Sequence, residues 1–338
     1  AVARHGTLVE ISREALERVS RSREALERAV EEGRTIYGVN TGFGELSSVR
    51  IPREDAKKLQ VKVIVGSAVG VGAHLSEEEV RAVMLARLNA LARGHSGVRP
   101  ELLEQLAEML NRRVHPLVPE EGSVGASGDL APLSHIALVV IGEGEALYRG
   151  ERLPGKEALH RAGLSPLDLD LKEGLALNNG TAYMTGIGAL LVHDAENVAK
   201  VADIAGAMSL EVLLGRREAF DPRLHEAKGH ARQVAVAKNV LRLVEDSELV
   251  GSLKKVQDPY CLRCIPQIHG AAREGIAFAR SVIERELNSS NDNPLVFPDG
   301  AVLSGGNFHG QFVALALDVL AIHRQVNYYC IILLPPIP

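Results

Sequence analysis

The stretch "GSVGASGDLAPLSH", residues 122–135, sets a run of very small side chains against the start of an apolar segment. At its centre stand Ala126, Ser127 and Gly128. They have little bulk, and Gly128 can take backbone angles closed to other residues. In a tight turn the Gly128 nitrogen can approach the Ala126 carbonyl carbon. Closing that ring with loss of one water, and losing a second from the Ser127 side chain, would give a methylidene-imidazolone. That group is a strong electrophile made from the backbone itself. The same residues would equally serve a plain turn into a helix, with Ser127 or Asp129 capping "APLSHIALVV".

An electrophile that captures an amine suits elimination of ammonia from an α-amino acid. The β-proton is poorly acidic and the amine is a poor leaving group. A base must therefore face the electrophile across the substrate, and something must hold the carboxylate. Tyr37, in the glycine-rich "YGVNTGFG" (37–44), is the candidate base, on a loop whose composition suits a lid. Arg263, in "VQDPYCLRCIPQ" (256–267), is the candidate clamp, because a guanidinium meets a carboxylate through two parallel hydrogen bonds. A structural ion pair is the alternative for Arg263. Two more polar, glycine-bearing loops, "LALNNGT" (175–181) and "SGGNFHG" (304–310), resemble these.

Other reactive side chains carry no such pattern. "CLRC" places Cys261 and Cys264 at a C-x-x-C spacing with no second pair or histidine cluster, which makes a poor zinc site. His5, His135, His160, His193, His225, His230 and His269 are scattered and read as surface or core residues. No metal is expected.

Taken together, "YGVNTGFG", "GSVGASGDLAPLSH", "EGLALNNGT", "FDPRLHEAKGHARQ", "VQDPYCLRCIPQIHGA", "NDNPLVF" and "SGGNFHG" resemble the aromatic amino-acid ammonia-lyases and aminomutases, and most nearly the histidine ammonia-lyases. The motifs run in consistent order over roughly residues 30 to 320. The resemblance implies a 4-methylidene-imidazol-5-one (MIO) formed from Ala126-Ser127-Gly128, with no external cofactor. It places the catalytic tyrosine at Tyr37. It gives Asn179, Gln257 and Tyr260 as donors near the electrophile that help it form, and Phe308 as an aromatic beside the ring. It implies loss of ammonia from an aromatic L-amino acid, histidine to urocanate first among them, with phenylalanine or tyrosine lyases and aminomutases sharing the chemistry. A non-catalytic helical scaffold that keeps the motifs as folded structure is the alternative from another class. The resemblance also implies a homotetramer whose sites draw residues from more than one subunit.

The sequence departs from that pattern in places. The histidine lyases carry Ser-His just before "AxGVG", where "VGSAVGVG" has Gly66 and Ser67. Ser67 thus takes the substrate-selecting position, without the family's imidazole-recognising histidine. Ile265 stands where a glutamine is usual. The C-terminal part, with a glutamate that the histidine lyases place in the active site, is absent, and truncation there is expected.

The elements that must position these residues read as helices. "SREALERVSRSREALERAVEEG" has helical spacing, with Ser12 as cap and Gly33 as stop. In "HLSEEEVRAVMLARLNALARG", Ser76 and Glu79 form a capping box, and Leu75 with Val80 can staple the start. Pro100 opens "ELLEQLAEMLNRRV". The span Gly186 to Leu214 has no proline and could reach roughly 40 Å. Further helices are predicted at about 269–287 and 308–328. Strand signals are weak, "NPLVF" with "AVLSGG" being the best. The expected fold is mainly α, a bundle of long helices of the fumarase/aspartase-like, histidine ammonia-lyase type. It carries a loop-rich N-terminal layer and forms a single domain over 1–338.

Composition agrees. The 338 residues carry a net charge of −5 and no cluster of basic residues, so no nucleic-acid partner is expected. Three cysteines are too few for a disulfide framework, and a cytoplasmic setting is expected. "AVARHGTLVE" has no apolar core of a signal peptide, and no apolar run suits a membrane span. The tail after Ile322 turns apolar and ends "LLPPIP", where the prolines oppose a closing helical turn.

Overall fold

The computed structural model describes residues 1–42, 44 and 47–332, with the backbone alone for 323–332. In chain order the elements are α1 (Val2–His5), α2 (Arg13–Glu31), α3 (Arg53–Ser67), β1 (Val71–His74), α4 (Glu77–Ala92), α5 (Pro100–Asn111), β2 (Val114–Pro116) and β3 (Pro119–Glu121). They continue with α6 (Leu130–Val140), β4 (Glu145–Tyr148), β5 (Glu151–Pro154), α7 (Gly155–Arg161), α8 (Glu173–Asn178) and α9 (Ala182–Val212). After a 3-10 turn at Arg217–Phe220 come α10 (Pro222–Lys228), α11 (Ala231–Leu243), α12 (Tyr260–Arg263), α13 (Ile265–Leu287), β6 (Leu295–Val296), β7 (Val302–Leu303) and α14 (Gln311–Ile332).

The predicted helix signals act where the sequence places them. The Ser12 side chain accepts from the Ala15 N–H and starts α2. At α4, Glu79 Oε2 accepts from the Ser76 N–H at 2.8 Å and Ser76 Oγ accepts from the Glu79 N–H at 3.4 Å, completing the capping box. Pro100 sits in the first turn of α5. The predicted helix from Gly186 begins earlier, at Ala182, because its first amides are capped from elsewhere: the Asp129 carboxylate accepts from the N–H groups of Tyr183 and Met184. At ~1.5 Å per residue, the 31 residues of α9 span roughly 46 Å. α14 starts later than predicted, since His309 N–H turns back to the Gly306 carbonyl and His309 Nδ1 accepts from the Gln311 N–H. The final residues of the apolar tail, 333–338, lie outside the described residues.

Strands are few and short. β6 pairs with β7 as expected, Leu295 with Leu303 and Val296 with Val302. The others were not legible as strands. β1 lies antiparallel to β3 with an irregular register, and β2, β4 and β5 form a three-stranded antiparallel sheet.

The chain divides into two compact units. The first comprises 1–189 and 283–314 and holds every strand of the described residues, the loop-rich layer that was expected. Its core gathers Met84, Leu88 and Leu91 of α4, Leu102, Leu106 and Leu110 of α5, and Leu133, Ala137 and Val140 of α6. α4 is buried on nearly all sides, so its charged Arg81 and Arg87 are buried with it. The second unit comprises 190–282 and the chain from Leu315 on, with a core of Leu210, Phe220, Val236, Val240, Leu262 and Ile265. His225 and His269 are core histidines here. His225 Nε2 contacts the Ala219 carbonyl at 3.1 Å, and His269 Nδ1 contacts buried Asp203 at 2.9 Å. Residues of α9, α13 and α14 fall in both units.

Candidate active site

The tripeptide Ala126-Ser127-Gly128 sits in the turn between β3 and α6, with Ala126 and Ser127 exposed and Gly128 buried. Gly128 has φ 77, and a Cβ there would lie 2.5 Å from the Gly180 carbonyl oxygen. Only glycine satisfies both demands. The Asp129 N–H donates to that same Gly180 oxygen at 2.7 Å, and Asn179 Nδ2 donates to the Ser127 carbonyl at 2.9 Å. The turn is therefore gripped on both sides of Gly128 by the "NNG" segment after α8. Asn179 is 6% exposed, and its Oδ1 is buried without a hydrogen-bond partner among the described residues.

Neither Ser127 nor Asp129 caps α6 with its side chain. The fully buried Asp129 carboxylate accepts from Ser123 Oγ at 2.6 Å and from the two amides that begin α9. Burial pushes this carboxyl up to about 6, against the opposing pull of those hydrogen bonds and of Arg87.

Behind Gly180 lies a buried charged layer. Arg87 donates through Nη1 to Asn291 Oδ1 at 3.0 Å and through Nη2 to the Ala176 carbonyl. Lys172, also fully buried, donates to Asp292 at 2.7 Å. Burial lowers the pKa of both cations, and Asp292 opposes that shift in each. A Cβ on Gly180 would lie 2.6 Å from Asn291 Oδ1, so the layer fixes the Gly180 peptide from behind.

Two more segments meet the loop that carries Ala126, Ser127 and Gly128. The Gly310 N–H donates to the Gly125 carbonyl at 2.9 Å, which ties "SGGNFHG" and its half-buried Phe308 to the loop. Half-buried Ser67 ends α3, and the chain after it runs along the strand leading to the tripeptide, where β1 pairs with β3.

Tyr37 lies in a turn stitched by short bonds. Asn40 Oδ1 accepts from the Ile36 N–H at 2.7 Å, and Thr41 Oγ1 accepts from the Gly38 N–H at 3.2 Å. Gln60, fully buried in α3, donates to the Gly38 carbonyl at 3.1 Å and accepts from the Leu175 N–H at 3.2 Å. One side chain thus joins the Tyr37 turn to α8, the helix that ends at Asn178 beside Asn179. Of the expected lid, the part up to Gly42 is anchored in this way.

Gln257, Tyr260 and Arg263 form a separate group in the second unit. Arg263 Nη1 donates to Gln257 Oε1 at 2.8 Å, and its guanidinium lies over the Tyr260 ring, 4.6 Å from the centroid. They line a cleft of about 550 Å³ with Arg216, Val256 and Gln267. Tyr260 is 71% exposed. Among the described residues Arg263 has no carboxylate partner, and it is one of the residues that line the cleft. Cys261 and Cys264 are free, and the described residues hold no cluster able to bind a metal.

The sequence profile described as Aromatic amino acid lyase matches residues 1–326. The chain belongs to that family. A histidine ammonia-lyase of Myxococcus xanthus (strain DK1622) is 55% identical over 324 residues, covering 95% of this chain and 64% of the relative. Among solved structures, Pantoea agglomerans phenylalanine aminomutase superposes with a TM-score of 0.92 at 37% identity, over 96% of this chain and 67% of that one. Histidine ammonia-lyase from Trypanosoma cruzi gives 0.90 at 38% identity, over 97% and 62%. The chain spans less than two thirds of the length of the Myxococcus relative and of the Trypanosoma structure.

In this member of the family the first unit brings together Ala126, Ser127, Gly128, Asn179 and the Phe308 loop, and Gln60 links the Tyr37 turn to α8. Gln257, Tyr260 and Arg263 contact one another in the second unit. Sequence reasoning missed Gly180, Arg87, Lys172, Gln60 and the role of Asp129. A charged residue inside the apolar run "VMLARLNALA" was the available signal for Arg87.

Proposed function

We propose that this chain is the greater part of a MIO-dependent ammonia-lyase, a carbon-nitrogen lyase that converts an aromatic L-amino acid, histidine foremost, to the α,β-unsaturated acid and ammonia. The observation that carries this reading is Gly128 in the left-handed region, packed on Gly180, while Asn179 holds the Ser127 carbonyl. These contacts support a tripeptide compressed for cyclisation, with the Ser127 side chain left free to lose water. The ring so formed supplies an electrophile that makes the substrate amine a better leaving group.

The remaining residues supply the rest of the elimination. The Tyr37 oxygen takes the β-proton, the electron pair of that C–H bond becomes the Cα=Cβ bond, and the C–N bond breaks with departure of ammonia. Arg263, oriented by Gln257 and Tyr260, binds the substrate carboxylate. The unpartnered Asn179 Oδ1 offers an acceptor to the substrate amine. Phe308 lies beside the ring, and Ser67 faces the substrate side chain. The name of the Myxococcus relative favours histidine. Ser67, in place of an imidazole-recognising histidine, counts against histidine without selecting another substrate, and a phenylalanine or tyrosine lyase or aminomutase is the second reading.

A homotetramer with sites built from several subunits belongs to this proposal. On α9, Val198, Val201, Ile204, Met208 and Val212 lie exposed along one face, an apolar stripe suited to another copy. Both compact units are taken as parts of one lyase domain, since α9, α13 and α14 contribute to both. The free thiols of Cys261 and Cys264 suit a cytoplasmic location. Among the described residues no helix is long and apolar enough to cross a membrane.

The test is an intact-mass measurement with an assay on histidine, phenylalanine and tyrosine. The chain should be two waters lighter than its sequence. Ser127→Ala should restore the plain mass and abolish turnover while leaving the fold, because the Ser127 side chain is exposed. A wild-type chain of plain mass would leave only a scaffold.

A further inference from the structure

We propose that His135 is a positioning residue for substrate selection, fixing the Gly66–Gly70 segment, and with it Ser67, against the loop that carries Ala126-Ser127-Gly128. This rests on the reading of Ser67 as facing the substrate.

His135 Nε2 accepts from the Gly70 N–H at 3.2 Å. To accept there, the imidazole must be neutral with its proton on Nδ1. Half-burial and the neighbouring His74 both lower its pKa and so favour that form. The fit around Gly70 is close. A Cβ at this position would lie 3.1 Å from His135 Nε2, 3.1 Å from Pro119 Cβ and 3.3 Å from the Glu121 carbonyl. A Cβ on Gly122 would in turn lie 3.1 Å from the Gly70 α-carbon. On the other side, the Val69 N–H turns back to the Ser67 carbonyl at 2.9 Å, a tight turn that couples the end of α3 to the residue before Gly70.

The geometry makes His135 a short brace. It sits on α6, whose first residue, Leu130, follows the tripeptide almost directly. One end of the brace is thus covalently tied to the electrophile loop, and the other grips the segment after Ser67. Beyond Gly70, β1 pairs with β3 only irregularly, Val71 with Glu121 and His74 with Pro119. The imidazole supplies a specific bond where the strand pairing is weak.

Two variants separate bonding from bulk. His135→Gln keeps an acceptor that can reach the Nε2 position, and His135→Leu removes it. Hydrogen exchange of the peptide covering 66–72 and steady-state kinetics are measured on the full chain. His135→Leu should speed exchange at 66–72 by about 5-fold, the loss of one net hydrogen bond of ~1 kcal/mol, with exchange elsewhere unchanged. It should raise KM by a similar factor, leave kcat within about 2-fold, and keep the two-water mass deficit. His135→Gln should restore both exchange and KM. Unchanged exchange at 66–72 in His135→Leu would overturn the inference, as would a fall in kcat with KM unmoved, and the lyase reading would survive either. A wild-type chain with no turnover sinks the lyase reading and substrate selection together, and the exchange result then decides the brace alone.

Discussion

Gly128 lies against Gly180 so closely that a side chain on the first would overlap the backbone of the second, with a Cβ 2.6 Å from the Gly180 nitrogen. The Ala126-Ser127-Gly128 loop and the segment after α8 are thereby locked as one piece, which the Asp129 and Asn179 hydrogen bonds complete. Gly128→Ala should combine backbone strain at φ 77 with that overlap. The expected result is a loss of roughly 2 kcal/mol or more of stability, read by thermal or denaturant unfolding, together with an intact mass that shows no loss of water. A variant that still lost two waters would mean that cyclisation does not depend on this contact.

The turn that carries Tyr37 is held by Asn40, Thr41 and Gln60. Tyr37→Phe should keep the mass deficit and lower kcat by about 10² to 10⁴, the usual contribution of a positioned base. Retention of most of the turnover would assign proton removal to another group.

Ser67→His restores an imidazole at the end of α3. If this position reads the substrate side chain, kcat/KM for histidine should rise by about 5-fold or more, the worth of one net hydrogen bond, and that for phenylalanine should not. No change in the ratio of the two would place Ser67 outside the substrate pocket.

Asp129 makes stability depend on pH in a defined direction. Burial raises its folded pKa from 3.8 to about 6, so between these values the folded chain binds more protons than the unfolded one. Stability from this group is full below ~4 and is lost as pH rises through about 6. At about 1.4 kcal/mol per pKa unit the loss is on the order of 3 kcal/mol. Asp129→Asn should remove this slope. The difference in unfolding free energy between wild type and variant, followed from pH 4 to 7, should therefore fall; a flat difference would show that the carboxyl titrates as in solvent.

Much of the fold was legible because helix signals are local. Ser12, the Ser76–Glu79 box and Pro100 each act within one turn of the helix they start, and α2, α4 and α5 begin where those residues predict. The start of α9 was misplaced for the opposite reason. Its first amides are capped by Asp129, more than fifty residues away in the chain, and no window around Ala182 contains that information. Strands β1 to β5 were not legible because each is only three or four residues long. β1, β2 and β3 gain their pairing from partners distant in the chain, whereas β4 and β5 form a local hairpin across Arg149 and Gly150.

The site divides in the same way. Residue types suggested the proposed chemistry: an Ala-Ser-Gly run that could cyclise, a tyrosine that could take a proton and an arginine that could bind a carboxylate. These are properties of side chains and of a flexible backbone, and they need no neighbours to be stated. What holds them was settled only in three dimensions. Gly180 against Gly128, Gln60 between the Tyr37 turn and α8, and Arg87 and Lys172 buried with Asp292 are all long-range contacts. A buried charge is tolerable only where a partner from elsewhere meets it. The sequence therefore determined which residue types are present for the proposed reaction, and tertiary packing decided which of their atoms are held in place, because buried contacts join segments far apart in the chain.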